Sequence, residues 1–359
     1  MIRVFKCGTR AVAKIRALRR VFSLLLFVCY APDVLAVSSQ PRAINTTFAN
    51  LRAVESRMDR LGSGIALNNV ALCRSLQPDT GMVLHTLDSY AADIRDIARD
   101  FFGFETNLAV LSVRSGSAAA RAGVLADDSI VAFNDVPVVS STSATASVSG
   151  LIASNRYIAS LSPTQPIKIG IRRNGLVRTI IVNPEPSCRV RFELVVSPDF
   201  IASSDGEMVQ VSSAFFAVLD DSELAVLIAH ELAHNVLEHP QRLAKQGVVG
   251  GLLAGFGRNV RFFRQTETEA DILSVSLVAN AGYSADDVAT FWASAGRRIF
   301  SGAFTSRSHP SWRDRAATAA NEAKNLSKLF ARPITPTILL SRDAPLDGNW
   351  QAILVDAGK

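Results

Sequence analysis

Apolar positions Ile44, Phe48, Leu51, Val54 and Met58 recur at helical spacing with charged residues between them, which predicts a helix over 42–60. Gly62-Ser63-Gly64 predicts its end. Ile94, Ile97 and Phe101 share a face and predict a second helix from Ala91 to Phe101. The pattern then changes to short apolar or alternating runs, Leu108 to Val113, Ser129 to Phe133, Ile167 to Arg172 and Val177 to Val182, which predict strands. Gly116 to Gly123 reads as a turn into a one-turn helix, 139–150 as a Ser/Thr-rich loop, and Leu151 to Leu161 as a short helix. Asn174-Gly175 between two strands predicts a hairpin turn. Further on, Ser222 to His239 reads as an apolar helix with Asp221 or Ser222 as N-cap and Pro240 as its stop. Another helix contains Glu267 and runs on to Val278. Between these two, Gly247 to Gly257 holds five glycines and cannot form a regular helix cheaply. A lid, a hairpin making peripheral membrane contact and a plain connector all fit that stretch.

A length of 359 residues corresponds to about two domains. With 48% hydrophobic and 19% charged residues the chain can bury a core, and global disorder is excluded. The formal charge of +6 is misleading, because residues 1–36 carry all of it and residues 37–359 sum to zero. A neutral body offers no general footprint for phosphate backbones, so nucleic acid is not an expected partner. The charged leader is followed by an apolar run from Val21 to Pro32 and then by Val34-Leu35-Ala36, which predicts a signal peptide cleaved after Ala36. That run is shorter than the roughly 20 residues of a spanning helix, and an uncleaved membrane anchor is the alternative. Arg19-Arg20 leaves twin-arginine export open beside the general secretory route. The expected location is periplasmic or otherwise exported. Cys7 and Cys29 would leave with the leader, and the remaining pair, Cys73 and Cys188, predicts a disulfide in an oxidising compartment. Two unrelated buried thiols are the alternative.

The chemistry concentrates in His230-Glu231-Leu232-Ala233-His234. On a helix, His230 and His234 stand one turn apart on one face, and two imidazoles so placed can share one tetrahedral ion. Glu231 projects beside them and can reach a water at the metal's open position. An ordinary helix with surface histidines is disfavoured, since Val226-Leu227-Ile228-Ala229 is too apolar for a solvated face. His239 lies nine residues after His230, with Leu237 where a metzincin motif needs Gly, and reads as a helix-end residue. In Glu267-Thr268-Glu269-Ala270-Asp271 the first and last residues are i and i+4 on one face, and Glu269 points almost opposite, toward solvent. Glu267 is therefore the expected third zinc ligand, with Asp271 supporting a ligand imidazole from behind.

Two resemblances follow from these residues. Phe102-Gly103-Phe104, the Ser115 to Gly123 element, Asp128 to Asp135 and the Arg173-Asn174-Gly175 hairpin resemble a PDZ domain of the bacterial type, over about Phe101 to Pro184. Asp127 and Asp135 depart from its usual glycines. The resemblance implies a peptide groove with Phe102, Gly103 and Phe104 at its carboxylate end, or else a scaffold module without a ligand, and the Cys73–Cys188 pair flanks it.

His230-Glu231-Leu232-Ala233-His234 with Glu267-Thr268-Glu269-Ala270-Asp271, together with His309-Pro310 and Arg315, is similar to the HtpX and CAAX prenyl endopeptidase family of zinc metallopeptidases, in its soluble periplasmic form. That resemblance implies one zinc ion per chain held by His230, His234 and Glu267, with Glu231 as catalytic base. It also implies an edge strand and a following helix within Glu207 to Phe215, with substrate extended along Met208 to Val211. His309 either serves the reacting centre as a further catalytic residue or shapes the loop with Pro310, and Arg315 is expected to pair with an acid. The expected fold is α+β, a gluzincin-type peptidase domain (helical with a small β-sheet) preceded by a PDZ-like β-rich domain. The expected division is a signal peptide at 1–36, a helical segment at 37–80, the PDZ-like domain at 81–188, the peptidase domain at 189–345 and a tail at 346–359. The expected function is an endopeptidase acting on misfolded or misassembled envelope proteins, with an envelope partner held by the PDZ-like module. The rival is a PDZ-led chaperone or binding protein with a silent or latched metal site. A purely structural zinc is disfavoured, because such sites are closed and Cys-rich and no Cys cluster is present.

Overall fold

Helix α1 (Gln40–Asn68) opens the part of the chain that the computed structural model describes, namely residues 40–138, 145–248, 259–300, 309–329 and 333–356. The predicted leader and most of the glycine-rich stretch lie outside these residues. Next come β1 (Leu76–Asp79), β2 (Met82–Thr86), α2 (Arg95–Phe102), β3 (Leu108–Val113), α3 (Ala118–Ala122), β4 (Ser129–Phe133) and β5 (Val136–Pro137). Helix α4 (Ser149–Ser160), the hairpin β6 (Ile167–Arg173) and β7 (Leu176–Val182), and β8 (Glu185–Cys188) complete the first half. The second half contains β9 (Arg191–Val195), β10 (Ala202–Ser204), β11 (Met208–Ser212), α5 (Ser213–Val218), α6 (Asp221–Val236), α7 (His239–Lys245) and α8 (Val260–Asn280). It continues through α9 (Asp286–Phe291), a π-helical turn at Trp292–Gly296, α10 (Arg297–Ile299), α11 (Trp312–Leu326), a 3-10 helix at Thr337–Asp343 and α12 (Trp350–Asp356). The fold is mixed α+β. Among the described residues no helix is long and apolar enough to cross a membrane.

Helix α1 runs on through Gly62-Ser63-Gly64, where the sequence predicted a stop. Tertiary packing overrides the weak local preference. A Cβ on Gly62 would stand 2.6 Å from the Phe192 ring, so glycine is what lets β9 approach the helix. The helix is shared by two cores. Met58, Leu61 and Ile65 pack with α6, α8 and the small sheet, whereas Phe48 packs into an aromatic cluster with Tyr90, Phe102 and Phe104.

The larger sheet has the order β2-β3-β4-β6-β7, with β5 beside β4. Its turns use positive φ at Asn134, Asp135 and Asn174, and Asp127 also adopts positive φ, so the two aspartates that depart from the expected glycines keep the glycine-like backbone. A cleft of about 310 Å³ lies beside β2, lined among others by Gly81, Leu84, Leu51, Ile152, Arg191 and Met208. Phe102, Gly103 and Phe104 do not line it. Phe102 and Phe104 are buried in the aromatic cluster, and Gly103 is the left-handed C-cap of α2 at φ 62°. The two phenylalanine rings are buried against α1, an element outside the expected module, while Gly103 between them is exposed. The Cys73–Cys188 disulfide is present and joins the chain before β1 to the end of β8, the two strands that pair with each other.

The small sheet has the order β10-β11-β9. Strand β11, expected as an edge, is therefore central, paired in parallel to β9 and antiparallel to β10. The Asp205-Gly206 turn folds β10 back across it. Asp205 accepts hydrogen bonds from the Glu207 and Met208 amides, and Asn235 near the end of α6 accepts from the Gly206 amide at 2.7 Å. This pins the hairpin to the helix that carries the histidines.

Candidate metal centre and active site

Helix α6 begins with a capping box: Asp220 accepts from the Glu223 amide at 2.9 Å and Glu223 accepts from the Asp220 amide at 3.1 Å. The cap is one residue before the predicted Asp221. Leu224 through Ala233 are buried without interruption, so the helix is central to its core and has no solvated face. The chain leaves α6 at Leu237, turns at Glu238 with φ 54°, and starts α7 at His239-Pro240. Pro240 thus opens a helix as well as following one, as its missing N–H allows.

Helix α8 packs along α6 and brings its carboxylates to the histidines. His230 Nε2 and His234 Nε2 are 3.2 Å apart. His230 Nε2 is 3.3 Å from Glu267 Oε2, and His234 Nε2 is 3.5 Å from Glu267 Oε1. Zinc bonds of about 2.0–2.1 Å in a tetrahedron place neighbouring ligand atoms roughly 3.3 Å apart, so this triangle fits one zinc ion with a fourth position to spare. These three residues are the His/Cys/Asp/Glu group among the described residues that could hold a metal. Glu267 Oε2 is buried without a hydrogen-bond partner, with the Arg315 guanidinium 3.5 Å away. Burial by itself would raise the Glu267 carboxyl, but the imidazoles of His309, His234 and His230 hold it well below the usual carboxylate range. Burial holds the His234 imidazole well below its ordinary value, in the neutral form that ligates.

Glu231 stands beside the triangle. Burial pushes its carboxyl up to about 7, with the charge of Glu267 adding to the push, against the pull of His230 and of a hydrogen bond with Ser204. Ser204 belongs to β10, so this strand borders the Glu231 carboxylate. Asp271 is buried, with Oδ1 3.1 Å from His230 Nδ1. Arg315 donates to both Asp271 oxygens, through Nε at 2.7 Å and Nη2 at 2.6 Å. The Arg315 guanidinium lies 3.3 Å over the Trp292 ring, and Trp292 meets His230 edge-on. Trp292 opens the π-helical turn, and Gly296 at its end leaves room for the ring. His309 Nε2 is 3.6 Å from Glu267 Oε2, with 42% of its side chain exposed. It faces the centre from the open side.

Glu269 overturns one expectation: it is fully buried, not solvated. Helix α7 and the 3-10 helix cover the side of α8 that helical phase alone assigns to solvent. His239 and Arg242 meet Glu269 there, and Ser341 donates to it at 3.2 Å. Burial would raise the Glu269 carboxyl, but hydrogen bonds from His239 and Arg242 hold it down at about 2. His239, read from the sequence as a helix-end residue, is likewise buried and contacts His234. Trp292, Ser204 and Arg242 carry no sequence signal, because each reaches the site through a distant element.

The site lies across the boundary of one family match. The profile of Peptidase family M48 matches residues 244–323. The span contains Glu267, Asp271, His309 and Arg315, is less than a quarter of the 359 residues, and supports the M48 metallopeptidase family for this chain. Peptidases of that family are zinc-dependent, in keeping with the His-His-Glu triangle. Among solved structures, the chain is similar to the HtrA3 PDZ domain bound to a phage-derived ligand (FGRWV), at 18% identity over 31% of this chain and 88% of that chain, with a TM-score of 0.24. Comparison with curated proteins finds no match.

Proposed function

We propose that the protein is a zinc-dependent endopeptidase with His230, His234 and Glu267 as ligands and Glu231 as general base. The observation that carries this reading is the ligand triangle of 3.2, 3.3 and 3.5 Å with a buried carboxylate beside it. Zinc, when bound, polarises the scissile carbonyl and makes water a competent nucleophile near neutral pH. Glu231 accepts a proton from the attacking water and returns it to the leaving amine, and a carboxyl held near 7 suits both transfers. Asp271 fixes the His230 ring, and Arg315 fixes Asp271. His309, on the open side, is placed to donate to developing negative charge on the substrate oxygen.

Substrate backbone would pair with the outer edge of β10, the terminal strand of its sheet among the described residues, next to Glu231. Backbone pairing makes for weak sequence preference, which suits protein or peptide substrates that are misfolded or misassembled. The leader sequence and the Cys73–Cys188 disulfide support an exported, periplasmic protein. Hydrolysis of casein that is abolished by a chelator and restored by zinc tests the reading, and hydrolysis indifferent to chelation would sink it. The cleft along β2 favours a second reading, a binding or chaperone protein with a PDZ-like module and a silent metal site. Casein left intact at full zinc occupancy, with aggregation suppressed, would favour that one.

A further inference from the structure

We infer that His239 and Glu269 form a relay that holds His234 in one tautomer and one orientation, as Asp271 holds His230. The inference rests on the zinc reading above and extends it to residues outside the ligand set. His234 faces the metal position through Nε2, which lies 3.2 Å from His230 Nε2 and 3.5 Å from Glu267 Oε1. A neutral imidazole that offers Nε2 carries its proton on Nδ1. His234 Nδ1 is 2.8 Å from His239 Nδ1, so His234 donates and His239 accepts. His239 then carries its own proton on Nε2, and Glu269 Oε2 stands 3.0 Å away to take that hydrogen bond. Each link has one donor and one acceptor. Reversing the first link would put the His234 proton on the nitrogen that faces the metal.

The carboxylate at the end of the relay is itself fixed. Arg242 donates from Nη1 to Oε2 and from Nη2 to Oε1, Gln265 donates to Oε1 at 2.9 Å, and Ser341 donates to Oε2. His239, Glu269 and Arg242 are all buried, so water does not compete for these bonds. Helical phase explains why a second imidazole is needed. Glu267 and Asp271 share the face of α8 that meets α6, and Glu269 points the other way. Its carboxylate reaches His234 only through a side chain that wraps round from α7, and His239 is that side chain. One helix thus supplies a ligand and the anchors of both imidazoles.

The test is the zinc dissociation constant of the mature chain, by chelator competition, alongside melting of the metal-free protein. His239→Leu keeps apolar packing but has no acceptor for His234. His239→Asn keeps an acceptor and packs worse. The relay predicts zinc affinity in the order wild type, Asn, Leu, with His239→Leu weaker by about 10–100-fold, the usual cost of losing such support. A packing role predicts the reverse order of Leu and Asn, and follows the melting temperatures. Glu269→Gln is expected to weaken zinc by about tenfold alone and to add nothing in the His239→Leu background, since it acts through His239. Zinc bound by His239→Leu within about threefold of wild type, well short of the expected loss, overturns the relay. Should Leu not fold, Glu269→Leu, which leaves His239 Nε2 no acceptor, at wild-type affinity overturns it equally. Wild-type protein that takes up no zinc overturns the zinc reading and the relay together.

Discussion

At the scale of single residues, Glu231 carries the sharpest consequence. It follows His230 directly, lies outside the ligand triangle and is buried with its carboxyl raised to about 7. Glutamine has nearly the same shape but no basic oxygen. Glu231→Gln should keep zinc content and melting temperature and lose at least about a hundredfold in casein cleavage, since the proposed mechanism assigns both proton transfers to this one group. Wild-type cleavage by a zinc-loaded Glu231→Gln protein would remove Glu231 from the mechanism. Helical phase in the sequence separates Glu267 from Glu269, because side-chain direction follows position at 100° per residue. Phase says nothing of what covers the far side. Glu269 is buried because α7 folds back over it, and that return depends on the left-handed backbone at Glu238, for which the sequence carries no glycine signal.

At the scale of elements, the strands Leu108–Val113 and Ser129–Phe133 and the Asn174-Gly175 hairpin appear where alternation and turn chemistry place them. Helix α1 shows where local rules fail. Its two glycines now differ in meaning: a Cβ at Gly62 meets the Phe192 ring at 2.6 Å, and one at Gly64 meets nothing within 4 Å. Gly62→Ala should destabilise by roughly 1–3 kcal/mol through overpacking. Gly64→Ala should stabilise by about 0.5–1 kcal/mol, as expected for a helix interior. Opposite shifts of the urea midpoint check both, and equal shifts would refute the packing account. The capping box of α6 gives a third test. Asp220→Ala should cost about 1 kcal/mol, visible as an earlier thermal transition with the zinc stoichiometry unchanged.

At the scale of the whole molecule, α1 ties the sheet-rich half to the helical half, and the disulfide closes the sheet-rich half at the β1–β8 pair. Arg57 donates to the Phe216 and Leu219 carbonyls and to Asp221, which places the middle of α1 at the start of the histidine helix. Cys73 and Cys188 close a loop of 115 residues in sequence. Thiol titration of the unreduced mature protein should find no free thiol. Cys73→Ser with Cys188→Ser should lower stability by up to roughly 4–5 kcal/mol on the chain-entropy account. A double variant with unchanged stability would show that the β1–β8 pairing and the core beneath it suffice.

The amino-acid sequence by itself determines the parts that depend on local spacing. One helical turn between His230 and His234, and another between Glu267 and Asp271, fixes which side chains share a face whatever the helices pack against. The apolar run before His230 fixes that this helix is buried. Only the tertiary structure decides which surfaces meet. It places Ser204 of β10 beside Glu231, because the short turn at Asp205 to Glu207 folds that strand back over its neighbour. It turns Phe102 inward against Phe48, 54 positions away in sequence, and Phe104 into the same aromatic cluster. It joins His234, His239 and Glu269 across three helices. These contacts are long-range and hang on how whole elements pack, and no periodicity within one element encodes its neighbour.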